Sequence, residues 1–498
     1  MLNTMALHPG ACRRRRVLGW TAALVFGTLP ALAFPAPSWW WLAWFALLPL
    51  LLVVRAAASS WDGAVRAWCG LAGFVAANQY WLAGSAGPML VLLAVGLGVL
   101  WLPWGWIAHR LLSAPVTAGR LAASLVVLPS AWVAAEAVRA WPALGGPWAP
   151  LGASQWNQPV TLASASVGGV WLTSFLVVAV NAAVAVAIVH RQALFLALGG
   201  AVAFGGLGPA FYLLGPAPAA GPTVRVALIQ PGDIDDAIAR EAASEAITAT
   251  VVGQRVDLVV WGESSVGQDL GTHPEVLDRL TELSRRVGAQ LLVNVDAAAP
   301  GGGIYKSSVL VGDSGMVGTY HKTRLVPFGE YVPLRPLVGW FTRHSKAAAE
   351  DRKRGSGPVV LHAGGLGIGP LISYETTFSD LARREALLGA HLLVYQSSTS
   401  TFQGSWAQPQ LAAQPAVRAV EAGRPAVHTG LSGDSSAFDA RGHRLAWCPS
   451  NFRGAVVISV PLDSSTTPYQ RLGDWVPVTA FVVLIGAVIL LWRDKLRG

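Results

Sequence analysis

Gly367-Ile-Gly-Pro-Leu-Ile-Ser373-Tyr374-Glu375-Thr-Thr-Phe-Ser-Asp380 is an apolar, strand-like run that ends abruptly in a polar triplet. It then passes into a helix-compatible segment, Leu381 to Leu388. A nucleophile elbow has this form, because the reactive residue sits at a sharp strand-to-helix corner. Two other stretches deliver charge in the same way. Val256-Asp-Leu-Val-Val-Trp-Gly-Glu263 is a buried-strand pattern ending in a carboxylate, and Tyr320-His-Lys322-Thr-Arg-Leu-Val-Pro-Phe-Gly-Glu330-Tyr-Val-Pro carries a lysine. A carboxylate, an ammonium and a hydroxyl together suggest acyl transfer. The glutamate takes the nucleophile's proton, the lysine stabilises the oxyanion of a tetrahedral intermediate, and the nucleophile holds the acyl group until an acceptor arrives.

Around these stretches, short β-type runs recur at Val224–Gln230, Val256–Glu263, Gln290–Asp296, Ser307–Gly312, Val359–His362, Ile368–Ser373, His391–Gln396 and Ala455–Val460. Helix-like segments intervene at Ile234–Val252, Pro274–Val287, Leu381–Leu388 and Gln408–Ala422. Strands alternating with helices predict an α/β domain with covered sheets over 223–465. Gly301 to Gly303 and Ala347 to Gly357 read as exposed loops, with Glu350 to Arg354 a solvated face.

The rest of the chain has a different composition. Only 13% of the 498 residues are charged, against roughly 25% in soluble domains. Residues 17–214 are almost bare of charge. Apolar runs long enough to cross about 30 Å of hydrocarbon lie near 17–34, 38–54, 67–85, 88–108, 120–138, 160–189, 193–214 and 474–492. Arg13 to Arg16, Arg55 with Arg66, His109 to Arg120, and His190 with Arg191 fall on one side of that alternation. The positive-inside rule makes that side cytoplasmic. It follows that 1–16 is a cytoplasmic basic N-terminus, 17–214 a seven-span membrane domain, 223–465 extracytoplasmic, 474–492 an eighth span and 493–498 a cytoplasmic tail. The net charge of +9 is therefore topological, and nucleic-acid binding is not expected. The loop Trp141 to Gln158 falls on the outer side, where its tryptophans anchor in the headgroup layer and Ser154, Gln155 and Asn157 hint at a lipid entrance.

Cys12, Cys69 and Cys448 form no CxxC pair and no zinc-ligand spacing. There is no nucleotide loop of the Gly-x-x-x-x-Gly-Lys-Ser/Thr type. No metal or nucleotide cofactor is expected.

Trp261-Gly-Glu263-Ser, Lys322-x-x-Leu-Val-Pro-Phe-Gly-Glu330-Tyr-Val-Pro and Ile372-Ser373-Tyr374-Glu375 resemble the three catalytic motifs of carbon–nitrogen hydrolases. The membrane spans, Gly146-Pro-Trp148 and Gly152-Ala-Ser-Gln155 narrow the resemblance to the apolipoprotein N-acyltransferase family, over nearly the whole chain. The resemblance implies a nitrilase-like α-β-β-α sandwich on a multi-pass, eight-helix base in the cytoplasmic (inner) membrane. It implies transfer of a fatty acyl chain from a phospholipid donor to the N-terminal cysteine amine of a diacylated lipoprotein. Glu263 would be the general base and Lys322 the oxyanion stabiliser, with Glu330, Tyr374 and Glu375 in supporting places. A polyprenol-phosphate mannose synthase is a partner or fusion of some relatives.

The chain departs from that pattern in four places. Ser373 stands where the family has its nucleophilic cysteine, and a hydroxyl needs a committed base where a thiol does not. Ser398-Thr-Ser-Thr-Phe402 replaces Asn-Asp-Ala-Trp-Phe, the loop after Gln230 lacks a tryptophan, and Gly262 stands where proline is common. Two readings remain open at this level: an acyltransferase with a serine nucleophile, and a catalytically inactive paralogue that binds lipid or lipoprotein or scaffolds a membrane partner. A third, an amidase acting on a small amide, gives the membrane base no purpose.

Overall fold

Along the strands of the second half of the chain, successive buried side chains join two different apolar clusters in turn. In β1 (Thr223–Gln230) and β2 (Leu258–Trp261), Val226, Leu228, Leu258 and Val260 face one cluster. Ala227, Ile229, Val259 and Trp261 face another. Successive side chains on a strand point to opposite faces, so a strand apolar on both faces is covered on both. The computed structural model describes residues 9–215, 221–299, 302–333, 335–338 and 351–497.

Two six-stranded sheets result. The first has the order β12-β1-β2-β3-β4-β5, with β3 at Gln290–Ala298, β4 at Ile304–Gly312, β5 at Gly315–His321 and β12 at Gly454–Pro461. The second has the order β11-β10-β9-β8-β7-β6, with β6 at Leu361–Ala363, β7 at Leu366–Ile372, β8 at Leu392–Ser397, β9 at Ala426–Gly430, β10 at Ser435–Phe438 and β11 at Arg444–Cys448. β1, β2 and β3 run parallel, as do β7, β8 and β9. Val226, Leu258, Leu292, Ile368, Leu392 and Val394 fill the space between the sheets. Helix Pro274–Val287 packs Val276, Leu280 and Leu283 on the outer face of the first sheet. Helices Ser379–Leu387 and Ala407–Ala422 cover Leu371, Leu393 and Tyr395 on the outer face of the second. This is the expected α-β-β-α sandwich.

β5, β9, β10 and β11 were not legible as strands. β5 carries two glycines and an exposed face, and β9 and β10 bury His428, Thr429, Ser435 and Ser436. Apolar alternation does not mark such strands. Ala347 to Glu350, in the expected exposed loop, lie outside the described residues, as do the first eight residues.

Before Thr223 the described elements are helices. Among the described residues, five helices are long and apolar enough to cross a membrane: Arg13–Ala33, Met89–Ser113, Ala118–Arg139, Ala165–Val189 and Arg191–Leu214. The other expected spans take different forms. The run at 38–54 divides into a 3₁₀ turn, Trp40–Trp44, and a helix, Leu48–Arg55, whose first turn accommodates Pro49. The span expected at 67–85 is a helix, Ser60–Asn78, started by the Ser59 side chain and containing an Arg66–Asp62 ion pair at 2.9 Å. The run at 474–492 belongs to the helix Trp475–Arg497, with a shorter apolar part, Trp475–Leu490. Phe195, Val202 and Leu214 are 88%, 74% and 85% exposed, as lipid-facing side chains of a membrane protein are.

The helix Ala165–Val189 breaks at Gly168–Gly169, where Gly169 has φ +67°. The freed Val170 N–H donates to Glu421 Oε1 of the sandwich at 2.7 Å. Elsewhere glycine permits backbone contact. A Cβ on Gly27 of helix Pro9–Gly27 would lie 1.9 Å from the Gly70 carbonyl oxygen, and one on Gly73 would lie 2.2 Å from that of Leu24. Small residues let membrane helices approach this closely. Gly27→Ala is expected to cost about 1–3 kcal/mol through overpacking, read as a lower thermal midpoint in detergent. An unchanged midpoint would show that the two helices are not held at this distance.

Candidate active site

Glu263 follows β2, Lys322 follows β5 and Ser373 follows β7, so the sheet order decides whether they can meet. The Glu263 N–H donates to the carbonyl of Ser397, the last residue of β8, at 3.1 Å. The carboxyl ends of β2 and β8 therefore lie together. β7 is parallel to β8, and β5 returns parallel to β3 through two antiparallel turns, so all three residues emerge at one end of the sandwich. Ligand sites of α/β sheets form at this end.

Charge is concentrated there and nearly withdrawn from water. Lys322 Nζ is 1% exposed, 2.9 Å from Glu330 Oε1 and 3.6 Å from Glu263 Oε1. Burial acts to lower the Lys322 pKa, but the charges of Glu330 and Glu263 outweigh it and hold the ammonium above the ordinary lysine value. Burial likewise acts to raise Glu330, and Lys322 holds it below the usual carboxylate range. Glu330 Oε2 also accepts the Val326 N–H at 2.8 Å, which ties the Leu325–Phe328 loop to the lysine. Glu263 Oε2 accepts the Ser398 N–H at 2.9 Å.

The elbow is present in backbone terms. Ser373 has φ +53° and opens the 3₁₀ turn Ser373–Thr377. Ser264 and Phe328 also have positive φ, +57° and +62°. Strained non-glycine backbone thus adjoins each of the three motifs, the clustering expected of functional sites. Ser373 is half-buried, and its hydroxyl makes no hydrogen bond among the described residues. Glu375 joins the elbow to the lysine loop. Its Oε1 accepts from Tyr320 Oη, Thr323 N, Thr323 Oγ1 and Arg324 N at 2.7–2.9 Å, and its Oε2 accepts from Ile372 N at 2.9 Å. Tyr374 points the other way. A Cβ on Gly146 would lie 2.2 Å from its hydroxyl and 2.8 Å from Phe378 Cζ, so the elbow rests directly on the Trp141–Gln158 loop of the helical region.

That contact joins the two parts that the comparisons identify. Residues 26–183 match the family model for the apolipoprotein N-acyltransferase N-terminal domain, and residues 225–470 match carbon-nitrogen hydrolase. An apolipoprotein N-acyltransferase of Gloeobacter violaceus is 31% identical, covering 96% of this chain and 95% of its own length. The chain belongs to the apolipoprotein N-acyltransferase family. One from Pseudomonas aeruginosa is 30% identical over 95% of this chain and 96% of its own. Among solved structures, Saccharomyces cerevisiae Nit3, a member of branch 10 of the nitrilase superfamily, is similar at 18% identity and TM-score 0.38, covering 52% of this chain and 97% of that one.

For this family member, Glu263, Lys322, Glu330 and Glu375 form one buried cluster, with Ser373 and Tyr374 on the elbow that Glu375 holds. Among the described residues no cluster of His, Cys, Asp or Glu could hold a metal ion. Two expectations need revision, one for the membrane loop and one for the 350–354 segment. Gln155 does not line an entrance: it is fully buried, accepting from Trp44 Nε1 and Thr161 and donating to the Trp40 carbonyl. Arg352, in the expected solvated face, turns inward to Asp296 at 2.7 Å. Gly262 has a steric reason, since a Cβ there would lie 2.5 Å from Leu431 N. The Ser398–Phe402 segment still serves Glu263, through a backbone N–H that any residue but proline supplies.

Sequence reading missed Lys306, Asp296 and Ser398. The signal for the first two was a charge inside an otherwise apolar strand pattern, at positions paired across β3 and β4.

Behind the elbow, Glu385 packs against Gly369 of β7. Burial, reinforced by the charge of Glu375, pushes its carboxyl up to about 9. A raised carboxyl favours the fold fully below the unfolded pKa and loses that contribution as pH rises through the folded value. The thermal midpoint should therefore fall between about pH 5 and about pH 9, and Glu385→Gln should remove much of that slope. An identical slope in the variant would show that Glu385 is not the source.

Proposed function

We propose that this chain transfers a fatty acyl group from a phospholipid to the N-terminal cysteine amine of a diacylated lipoprotein, through an acyl-Ser373 intermediate. The observation that carries this is the buried Lys322–Glu263 pair, 3.6 Å apart, at the sheet end whose elbow rests on the helical region. An acyl donor that resides in a bilayer is served by a site abutting the membrane part, and a small soluble amide is not.

The roles follow from the chemistry. Ser373 Oγ attacks the ester carbonyl carbon while Glu263 takes its proton. The Lys322 ammonium stabilises the oxyanion, the kind of preorganised charge that contributes most in such reactions. The carbon–oxygen bond to glycerol breaks, and the proton on Glu263 goes to the departing lysophospholipid oxygen. The lipoprotein amine then attacks the acyl-serine ester, giving up a proton to Glu263, which returns it to Ser373 Oγ as the amide forms. Glu330 holds Lys322, Glu375 holds the elbow, and Tyr374 lines the contact with the membrane loop.

The arrangement in the cytoplasmic membrane is part of the same proposal. Residues 17–214 supply seven crossings and 474–492 the eighth, with 1–16 and 493–498 cytoplasmic and the sandwich extracytoplasmic. The basic clusters support it, since they alternate as the positive-inside rule requires.

A second reading, a lipid- or lipoprotein-binding paralogue without turnover, draws on one observation: the Ser373 hydroxyl has no hydrogen-bonded base among the described residues. Purified protein assayed with phospholipid and diacylated lipopeptide separates the two. Turnover is expected, faster in Ser373→Cys because a thiol is the stronger nucleophile. Ser373→Ala and Lys322→Met are each expected to lose about 100-fold or more. Lipopeptide binding without turnover in the wild type and in Ser373→Cys would establish the binding reading.

A further inference from the structure

Glu263 has a second cation beside it. Lys306, on β4, is 4% exposed, and its Nζ lies 3.8 Å from Glu263 Oε1, the oxygen that also faces Lys322. The same Nζ is 3.1 Å from Asp296 Oδ1 and donates to Ser264 Oγ at 2.5 Å. Cross-strand register places Lys306 opposite Asp296 on β3, and Arg352 caps the far side of Asp296 at 2.7 Å. Lys322 leans the other way, toward Glu330 at 2.9 Å. Charges therefore alternate from Arg352 through Asp296, Lys306, Glu263 and Lys322 to Glu330, with Glu375 beyond Lys322.

A buried lysine is costly unless paired, and Asp296 alone would pair this one. The contacts to Glu263 and Ser264 add something that Asp296 does not require. They reach both the carboxylate and the strained residue that follows it, at φ +57°. The Ser398 N–H fixes Oε2 of the carboxylate, and the two ammonium groups bracket Oε1. Without Lys306 the carboxylate is drawn onto Lys322 alone, in competition with Glu330.

We propose that Lys306 is a positioning residue, which clamps the Glu263 carboxylate between two ammonium groups and keeps Lys322 free to serve the oxyanion. This rests on the acyl-transfer reading, so its test includes a measurement that needs neither donor nor acceptor. In the Ser373→Cys background, alkylation by iodoacetamide reports how well Glu263 serves the nucleophile. Adding Lys306→Met is expected to slow alkylation at neutral pH by about tenfold and to lower kcat for lipopeptide acylation similarly, with KM unchanged. Lys306→Arg, which keeps the charge, restores most of both rates. Lys306→Gln keeps a hydrogen bond to Ser264 without the charge and behaves like the Met variant. Thermal midpoints of all forms separate this from loss of fold. Alkylation at or above the parent rate in Lys306→Gln, with folded protein, would overturn the clamp. Normal alkylation kinetics with no acyl transfer in any form would instead overturn the acyltransferase reading.

Discussion

Five hydrogen bonds on one buried carboxylate fix the relation between the elbow and the lysine loop. Glu375 accepts from Ile372 on one side and from Tyr320, Thr323 and Arg324 on the other. The two segments belong to different sheets, and a hydrogen bond tolerates only a few tenths of an ångström. With so many donors converging, neither sheet can slide without stranding several of them. The separation of Ser373 from Lys322 is set here, before any substrate arrives. Preorganisation of this kind is what the proposed oxyanion-stabilising role of Lys322 requires.

The sandwich is also joined to its base by polar contacts. Gln410 accepts from Trp148 Nε1 and Trp81 Nε1 and donates to the Asn78 carbonyl. Trp171 Nε1 and Tyr469 Oη both donate to Asp474 Oδ1. Phe402, on the segment that holds Glu263, packs edge-on against Trp81 with ring centroids 4.7 Å apart. The site's geometry therefore depends on both halves of the chain. The family match likewise covers both parts, residues 26–183 and 225–470.

Much of this was written in local pattern. β2, β7 and the first four residues of β8 are apolar and buried on both faces, and Glu263 and Ser373 stand just beyond the ends of β2 and β7. Other features depend on contacts distant in the chain. β9 and β10 bury hydroxyls and an imidazole whose partners come from other elements, such as His428 Nε2 with Ser397 at 2.7 Å, so hydropathy passes over them. Lys306 fell just outside the expected run Ser307–Gly312, and its meaning comes from Asp296 across the strand pair and Glu263 across the sheet. The helix Ser60–Asn78 was misplaced because Asp62 and Arg66 neutralise each other one turn apart. A window that counts charges singly sees only their cost.

The break at Gly168–Gly169 bears on how the protein is made. Val170 N–H finds its acceptor on Glu421, 251 residues later in the chain. Until that carboxylate has been synthesised and delivered, the helix carries an amide that has lost its own turn's carbonyl and has gained nothing in return. The hydrogen bonding of this helix is therefore completed by the sandwich, not within the helix. A product ending before residue 421 would lack that acceptor, so its membrane helix would be left with a broken backbone and no partner for the freed amide.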